Sequence, residues 1–274
     1  MVVKTEYKVG TDNGHGLWTA GKRTPEFKDG TVSSYTGEPF MHEWEFNRAV
    51  VMYLVKELSR CGITPVELSP TEEDTSINSR CLNAYNAKVD LLLSVHANAL
   101  TGTWNSANGI ETLTSGVGES LRIGKIVQAE LVKATGLRDR GMKDGSWLGL
   151  VKSTYTKNIP VVLVECGFMD NDKEARLLLS DNYRRLCASA IAKGICISFN
   201  KPYIKEEIVV SEPTKQPLTK FPDVKAGHWA ESAIKTVNDA GIMNGLPDGT
   251  FNPTGTVTRA EMAVITASIL KKMK

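Results

Sequence analysis

Cysteine is sparse in this sequence and shows no pairing pattern. Cys61, Cys81, Cys166, Cys187 and Cys196 are odd in number, and no two stand in a CxxC arrangement. That argues against a disulfide framework, and the five read as buried or free thiols of a chain made in a reducing cytoplasm. No apolar window approaches the length of a membrane span, and the opening MVVKTEYKVG has no apolar signal core. The expectation is a chain synthesised in the cytoplasm without a signal peptide. A bias toward one sign of charge is also missing: the net charge is +2, with 10 Lys+Arg against 8 Asp+Glu in 201–274 and 23 of each in 1–200. Charge therefore gives no case for nucleic acid. Histidine is rare, four in 274 residues, and no HExxH occurs, so the placement of each histidine carries information.

What is present begins with Ile159 to Asn171, IPVVLVECGFMDN. Consecutive apolar positions fit a strand covered on both faces, as in a parallel sheet with helices above and below. Glu165 stands at the carboxyl end of that strand, where open α/β sheets hold their ligands. The bland alternative is a strand-terminal acid facing solvent. Asn171 followed by Glu174 reads as a helix start.

With 41% hydrophobic residues, the chain can bury one sizeable domain and a small module. Tyr7 to Thr11 reads as a strand ending in Asp12-Asn13-Gly14-His15-Gly16. Residues 17–40 have no period, and a loop of that length is expected to be functional or mobile. Glu43 to Arg60 reads as a helix stopped at Gly62. Glu43, Asn47, Val50, Leu54 and Leu58 share one stripe, so Glu43 leads the core face, while Glu45 falls with Arg48, Met52 and Lys56 on a face expected to be solvated. His42 stands beside them as a possible neighbour of the site. Ile63 to Leu68 and Asp90 to Val95 read as strands, with a helix over Thr75 to Lys88 between them. Gly109 to Thr114 is a further strand, Glu119 to Thr135 a helix, Leu137 to Gly149 an excursion, and Asn171 to Leu179 and Tyr183 to Phe199 are helices. This order predicts an α/β fold: a mainly parallel twisted sheet flanked by helices. The predicted division is a domain at 1–199, a Pro- and Lys-bearing linker at 200–220 and a small helical module at 221–274. In the module, His228 to Ala240 and Arg259 to Leu270 read as helices, the second opened by a Thr258–Glu261 capping box.

His15 and His96 both stand at strand ends, Glu43 at a helix start and Glu165 at a third strand end. Three protein ligands and an open position are what a catalytic zinc needs, and two histidines with one glutamate are an established set. A further carboxylate would then move the proton. Spacing alone leaves open which of the four bind metal, and a hydrogen-bonded structural histidine is the bland reading of each.

The motifs DNGHG at 12–16, EWEFN at 43–47, SVHAN at 94–98 and VECGFMDN at 164–171, in that order, resemble the zinc-dependent N-acetylmuramoyl-L-alanine amidases of bacterial autolysins and phage endolysins. The resemblance covers about residues 5–199. It implies that His15, Glu43 and His96 bind Zn2+ and that Glu165 is the catalytic acid/base. It also implies a substrate, peptidoglycan, cut between muramic acid and L-alanine. Asn13 stands where the family often has proline. Asn98 and Asn171 are candidates for orienting the site, with turn and cap roles as the alternative.

FPDV at 221–224, HWA at 228–230, GLPDGTFNP at 245–253 and TRAE at 258–261 resemble a single surface-layer homology motif. This implies a cell-wall secondary polysaccharide as partner, with Trp229 and Arg259 as candidate contacts, against a core tryptophan and a helix-start arginine. Such motifs commonly act in threes, so homo-oligomerisation is one expectation and modest wall affinity the other. The leading reading is a wall-degrading phage or prophage endolysin that acts on the wall after release. The alternatives are a secreted host autolysin and an inert wall-binding scaffold.

Overall fold

The computed structural model describes residues 4–206, 219–226, 228 and 230–272, with the backbone alone for Tyr155. They fall into two compact units, Met1–Glu206 and Glu207–Lys274.

The first unit is built on a six-stranded sheet of order β2-β1-β3-β6-β4-β5. The strands are β1 (Lys8–Asp12), β2 (Thr64–Glu67), β3 (Leu91–Asn98), β4 (Ile110–Thr114), β5 (Asp139–Asp144) and β6 (Val161–Phe168). β1 pairs in parallel with β2 and β3, and β3 with β6, while β4 runs antiparallel to β6 and carries β5 parallel to itself. The expected mainly parallel sheet is thus present, with one antiparallel junction.

Alternation along the strands sorts side chains between two apolar layers. Leu91, Leu93 and Val95 of β3 and Val162 and Val164 of β6 join one cluster with α1 (Glu43–Arg60), α3 (Gly118–Thr135) and α6 (Asp181–Ser198). Leu92 and Val161 face the other way, onto Cys81 and Ala84 of α2 (Ile77–Ala87) and Leu150 and Val151 of α4 (Gly149–Tyr155). On β3, Ser94 and His96 follow Leu92 on this second face, and on β6 Leu163 and Glu165 follow Val161. The second layer therefore turns from apolar to polar toward the carboxyl edge of the sheet.

Three expectations need correction. Leu137 to Gly149 is not an excursion: it holds the edge strand β5, whose charged sequence DRGMKD is held by backbone pairing to β4. The segment 17–40 is laced down rather than loose. Thr24 N–H donates to the Met41 carbonyl, Phe27 N–H to Pro39 and Glu43 N–H to Lys22, and Leu17 and Phe27 are buried. Glu45 is not solvated; it is 4% exposed. Its carboxylate accepts the backbone N–H of His42, which caps α1, and the hydroxyl of Ser33. Arg48 pairs with Glu67 instead. His42 itself bonds Glu38 and serves the cap.

α5 (Asp172–Leu179) is capped by Asn171, which accepts from the N–H groups of Lys173 and Glu174. Glu174 reaches away from the cap to the N–H groups of Gly109 and Phe168.

The second unit packs Phe221, Val224 and Ile234 into a small core beside Phe251, with α7 (Glu231–Asp239) contributing Ile234. Asp223 accepts the N–H groups of Phe251 and Asn252. α8 (Arg259–Lys272) opens on the reciprocal Thr258–Glu261 capping box and has no buried residue among those described.

Candidate active site

The site forms where β1, β3 and β6 end. The turn after β1 holds Gly14 at φ +33° and His15 at φ +59°, a left-handed conformation uncommon for a residue with a side chain. A Cβ at position 14 would lie 2.3 Å from Cε1 of His96, so only glycine lets the turn pass against that ring. The second contributor is the first turn of α1, held in place by the Lys22 carbonyl and the His42 cap. The third is β3, which ends in His96.

These elements bring His15, Glu43 and His96 together. His96 Nδ1 lies 2.9 Å from Glu43 Oε1, and His15 Nε2 lies 3.4 Å from Glu43 Oε2. One donor atom from each residue falls within a 4.8 Å set. Glu43 Oε1 also faces Asn47 Nδ2 and the N–H of Ala97, each at 3.3 Å. Asn47 Nδ2 contacts the Gly14 carbonyl too, tying helix to turn. Glu43 Oε2 is buried and has no hydrogen-bond partner. A buried carboxylate oxygen without a hydrogen bond, with His15 Nε2 at 3.4 Å and Lys22 Nζ at 3.9 Å, suits a cation, and two imidazoles with one carboxylate fit a zinc-type donor set.

Glu165 lies beside this cluster. It is the register partner of His96 on β3 and of Glu111 on β4, and its Oε2 is buried without a partner. Glu111 is held by Arg140 and Asn98, which gives Asn98 a role in fixing a neighbouring acid. His15, Lys22, His96, Glu111, Glu165 and Trp147 line one cavity of about 560 Å³.

Electrostatics separate the two buried glutamates. Burial, against the opposing charge of His96 and helped by those of Glu43 and Glu111, raises Glu165 to about 8. Burial also opposes ionisation of Glu43, yet the His96 hydrogen bond and the charges of His96, His15 and Lys22 hold it at about 2. Burial lowers His15 to about 4, leaving a neutral imidazole with a free lone pair at neutral pH. One glutamate is thus a fixed anion and the other a group able to gain and lose a proton near neutrality.

Below the cluster lies a buried ion pair that the sequence reading missed. Arg80 Nη1 donates to Asp12 Oδ1 at 2.8 Å, with side-chain exposures of 6% and 0%. Ser69 and Ser94 also donate to Asp12. Ser94 had a legible signal, standing two residues before His96 and so on the same strand face. The 68-residue separation of Asp12 and Arg80 gives no such signal. Of the candidate wall contacts, Arg259 is exposed at the start of α8, and Trp229 lies outside the described residues.

A carboxylate among histidines beside a glutamate of raised pKa, at the carboxyl edge of an α/β sheet, is an arrangement suited to hydrolytic chemistry. The chain belongs to the N-acetylmuramoyl-L-alanine amidase family, whose sequence profile matches residues 9–196. The S-layer homology domain profile matches residues 220–263. N-acetylmuramoyl-L-alanine amidase LytC of Bacillus subtilis is 34% identical over 155 residues, 56% of this chain and 30% of LytC. S-layer protein EA1 of Bacillus anthracis is 54% identical over 50 residues, 18% of this chain and 6% of EA1. The chain thus spans a minor part of either relative. The crystal structure of N-acetylmuramoyl-L-alanine amidase from Clostridium difficile 630 is similar at TM-score 0.59 and 26% identity, covering 72% of this chain and 98% of that one.

Proposed function

We propose that this protein is a zinc-dependent amidase that hydrolyses the bond between the lactyl carbonyl of muramic acid and the amine of L-alanine in peptidoglycan. The observation that carries the reading is Glu43 Oε2, buried and unpartnered beside His15 Nε2. His15, Glu43 and His96 would hold the ion, and the Glu43 carboxylate would offset part of its charge. Zinc, when bound, supplies a Lewis acid for the carbonyl oxygen and lowers the pKa of water. Glu165 takes the proton of the attacking water as the C–O bond forms and delivers it to the nitrogen as the C–N bond breaks. Its raised pKa suits both halves of that transfer. Lys22, 3.9 Å from Glu43 Oε2 and lining the same cavity, adds positive charge to the site.

Residues 1–199 act as the catalytic domain, 200–220 as the linker and 221–274 as the wall-binding module in this reading. The module would hold the enzyme to cell-wall secondary polysaccharide. Arg259, which lines an open groove with Met262, Ala263, Thr266, Ala267 and Leu270, would contact its acidic groups, and Trp229 its sugars. Release of the enzyme to the wall as a phage or prophage endolysin is the setting we infer; expression without a pore-forming protein then leaves the producing cell intact.

The test is metal content and its reversal. Purified protein is expected to hold one zinc per chain, to lose wall hydrolysis on chelation and to regain it on adding zinc. A protein that hydrolyses wall at full rate when stripped of metal contradicts the reading.

A further inference from the structure

One buried serine hydroxyl, that of Ser94, lies between the Asp12 carboxylate and the His96 ring. Ser94 Oγ donates to Asp12 Oδ2 at 2.6 Å. Asp12 Oδ1 is occupied by Ser69 Oγ at 2.7 Å and Arg80 Nη1 at 2.8 Å. Ser94 and Asp12 are both wholly buried, and they are register partners on adjacent parallel strands. A serine hydroxyl has a single proton. Given to the carboxylate, it leaves only lone pairs for the other neighbour of Ser94 Oγ, which is His96 Nε2 at 3.1 Å. Nε2 must therefore carry hydrogen, and Nδ1, which donates to Glu43 at 2.9 Å, is the nitrogen whose proton a metal would replace.

We propose that Asp12 and Ser94 are positioning residues: the Asp12–Ser94 pair holds His96 with hydrogen on Nε2, so that Nδ1 is presented as the metal-binding nitrogen. The inference rests on the zinc reading above. A ligating histidine whose far nitrogen donates to a carboxylate, directly or through a hydroxyl, gains both orientation and basicity. Arg80 keeps the carboxylate from being a lone buried charge, while Ser69 shares the carboxylate without reaching His96.

That difference supplies the test. Zinc affinity is measured by chelator competition on the full chain for wild type, Ser94→Ala, Ser69→Ala and Asp12→Asn, with metal-free thermal stability recorded for each. Ser94→Ala is expected to weaken zinc binding about tenfold or more while remaining folded. Ser69→Ala, which removes an equally buried bond to the same carboxylate, should change affinity no more than about twofold. Asp12→Asn should weaken zinc and also lower stability, because Arg80 loses its buried partner and keeps only the more exposed Asp74. Wild-type affinity in Ser94→Ala, or an equal loss in Ser69→Ala, overturns the proposal while leaving the zinc reading intact. A wild type that binds no zinc overturns both.

Discussion

His96 and Glu165 are register partners on the adjacent parallel strands β3 and β6. One histidine of the candidate metal cluster and the candidate proton carrier are therefore neighbours by backbone pairing, without reliance on a flexible loop. The relationship predicts that the two functions separate. Glu165→Gln should lower turnover on peptidoglycan by roughly 10²–10⁴-fold and keep wild-type zinc content, measured by elemental mass spectrometry on the same sample. Loss of zinc together with activity would place Glu165 among the ligands instead.

Gly14 sets a steric condition on the centre. With φ at +33° and a Cβ position 2.3 Å from the His96 ring, Gly14→Ala should cost about 1–3 kcal/mol. It should also weaken zinc binding, because the ring must move. Denaturant titration with and without zinc checks both parts, and the destabilisation should be larger in the zinc-loaded protein.

Part of this site was legible in the sequence, for identifiable reasons. Val161 to Glu165 could be read because a strand buried on both faces is apolar at consecutive positions and then stops at an acid. Glu43 could be read because the core stripe of α1 repeats at helical spacing. Glu45 was misread for the same reason: a helical wheel knows only the helix, and the 17–40 segment that buries Glu45 folds over the first turn of α1. β5 was missed because Asp139–Asp144 has no apolar alternation; its place is fixed by the edge of β4, a partner remote in sequence. The Asp12–Arg80 pair exists only once β1 and α2 are side by side.

Trp147 stands on the rim of the cavity, 73% exposed, with its indole N–H bonded to the Asp144 carbonyl. An exposed aromatic ring at a cleft mouth is placed to stack on a sugar or peptide face. Trp147→Ala should raise KM for peptidoglycan about 2- to 10-fold, consistent with ~0.5–1.5 kcal/mol of aromatic contact. Turnover and melting temperature should not change. Steady-state kinetics on solubilised wall fragments, beside a thermal melt, check this.

The small module should be acid-labile. The Phe251 and Asn252 N–H groups hold Asp223 below its ordinary value, and hydrogen bonds from Thr250 to Asp248 and from Thr258 to Glu261 do the same for those two acids. For a carboxylate with a lowered folded pKa, the stabilisation is present above the unfolded value and is lost as pH falls through the folded one. The amide signals of Phe251 and Asn252 should therefore be constant from neutrality to about pH 5 and lose protection below about pH 4. Asp223→Asn should remove that step, and a step persisting in the variant would assign it to another group.

The most direct test of the central claim is the identity of the ends produced when purified peptidoglycan is digested. Released fragments are analysed by mass spectrometry for wild type, chelated wild type and Glu165→Gln. The account predicts peptides beginning with a free L-alanine amine, together with glycan strands carrying a free lactyl carboxyl, from the untreated wild type alone. New reducing sugar ends, cuts between amino acids of the stem, or the same L-alanine ends from the chelated enzyme would contradict it.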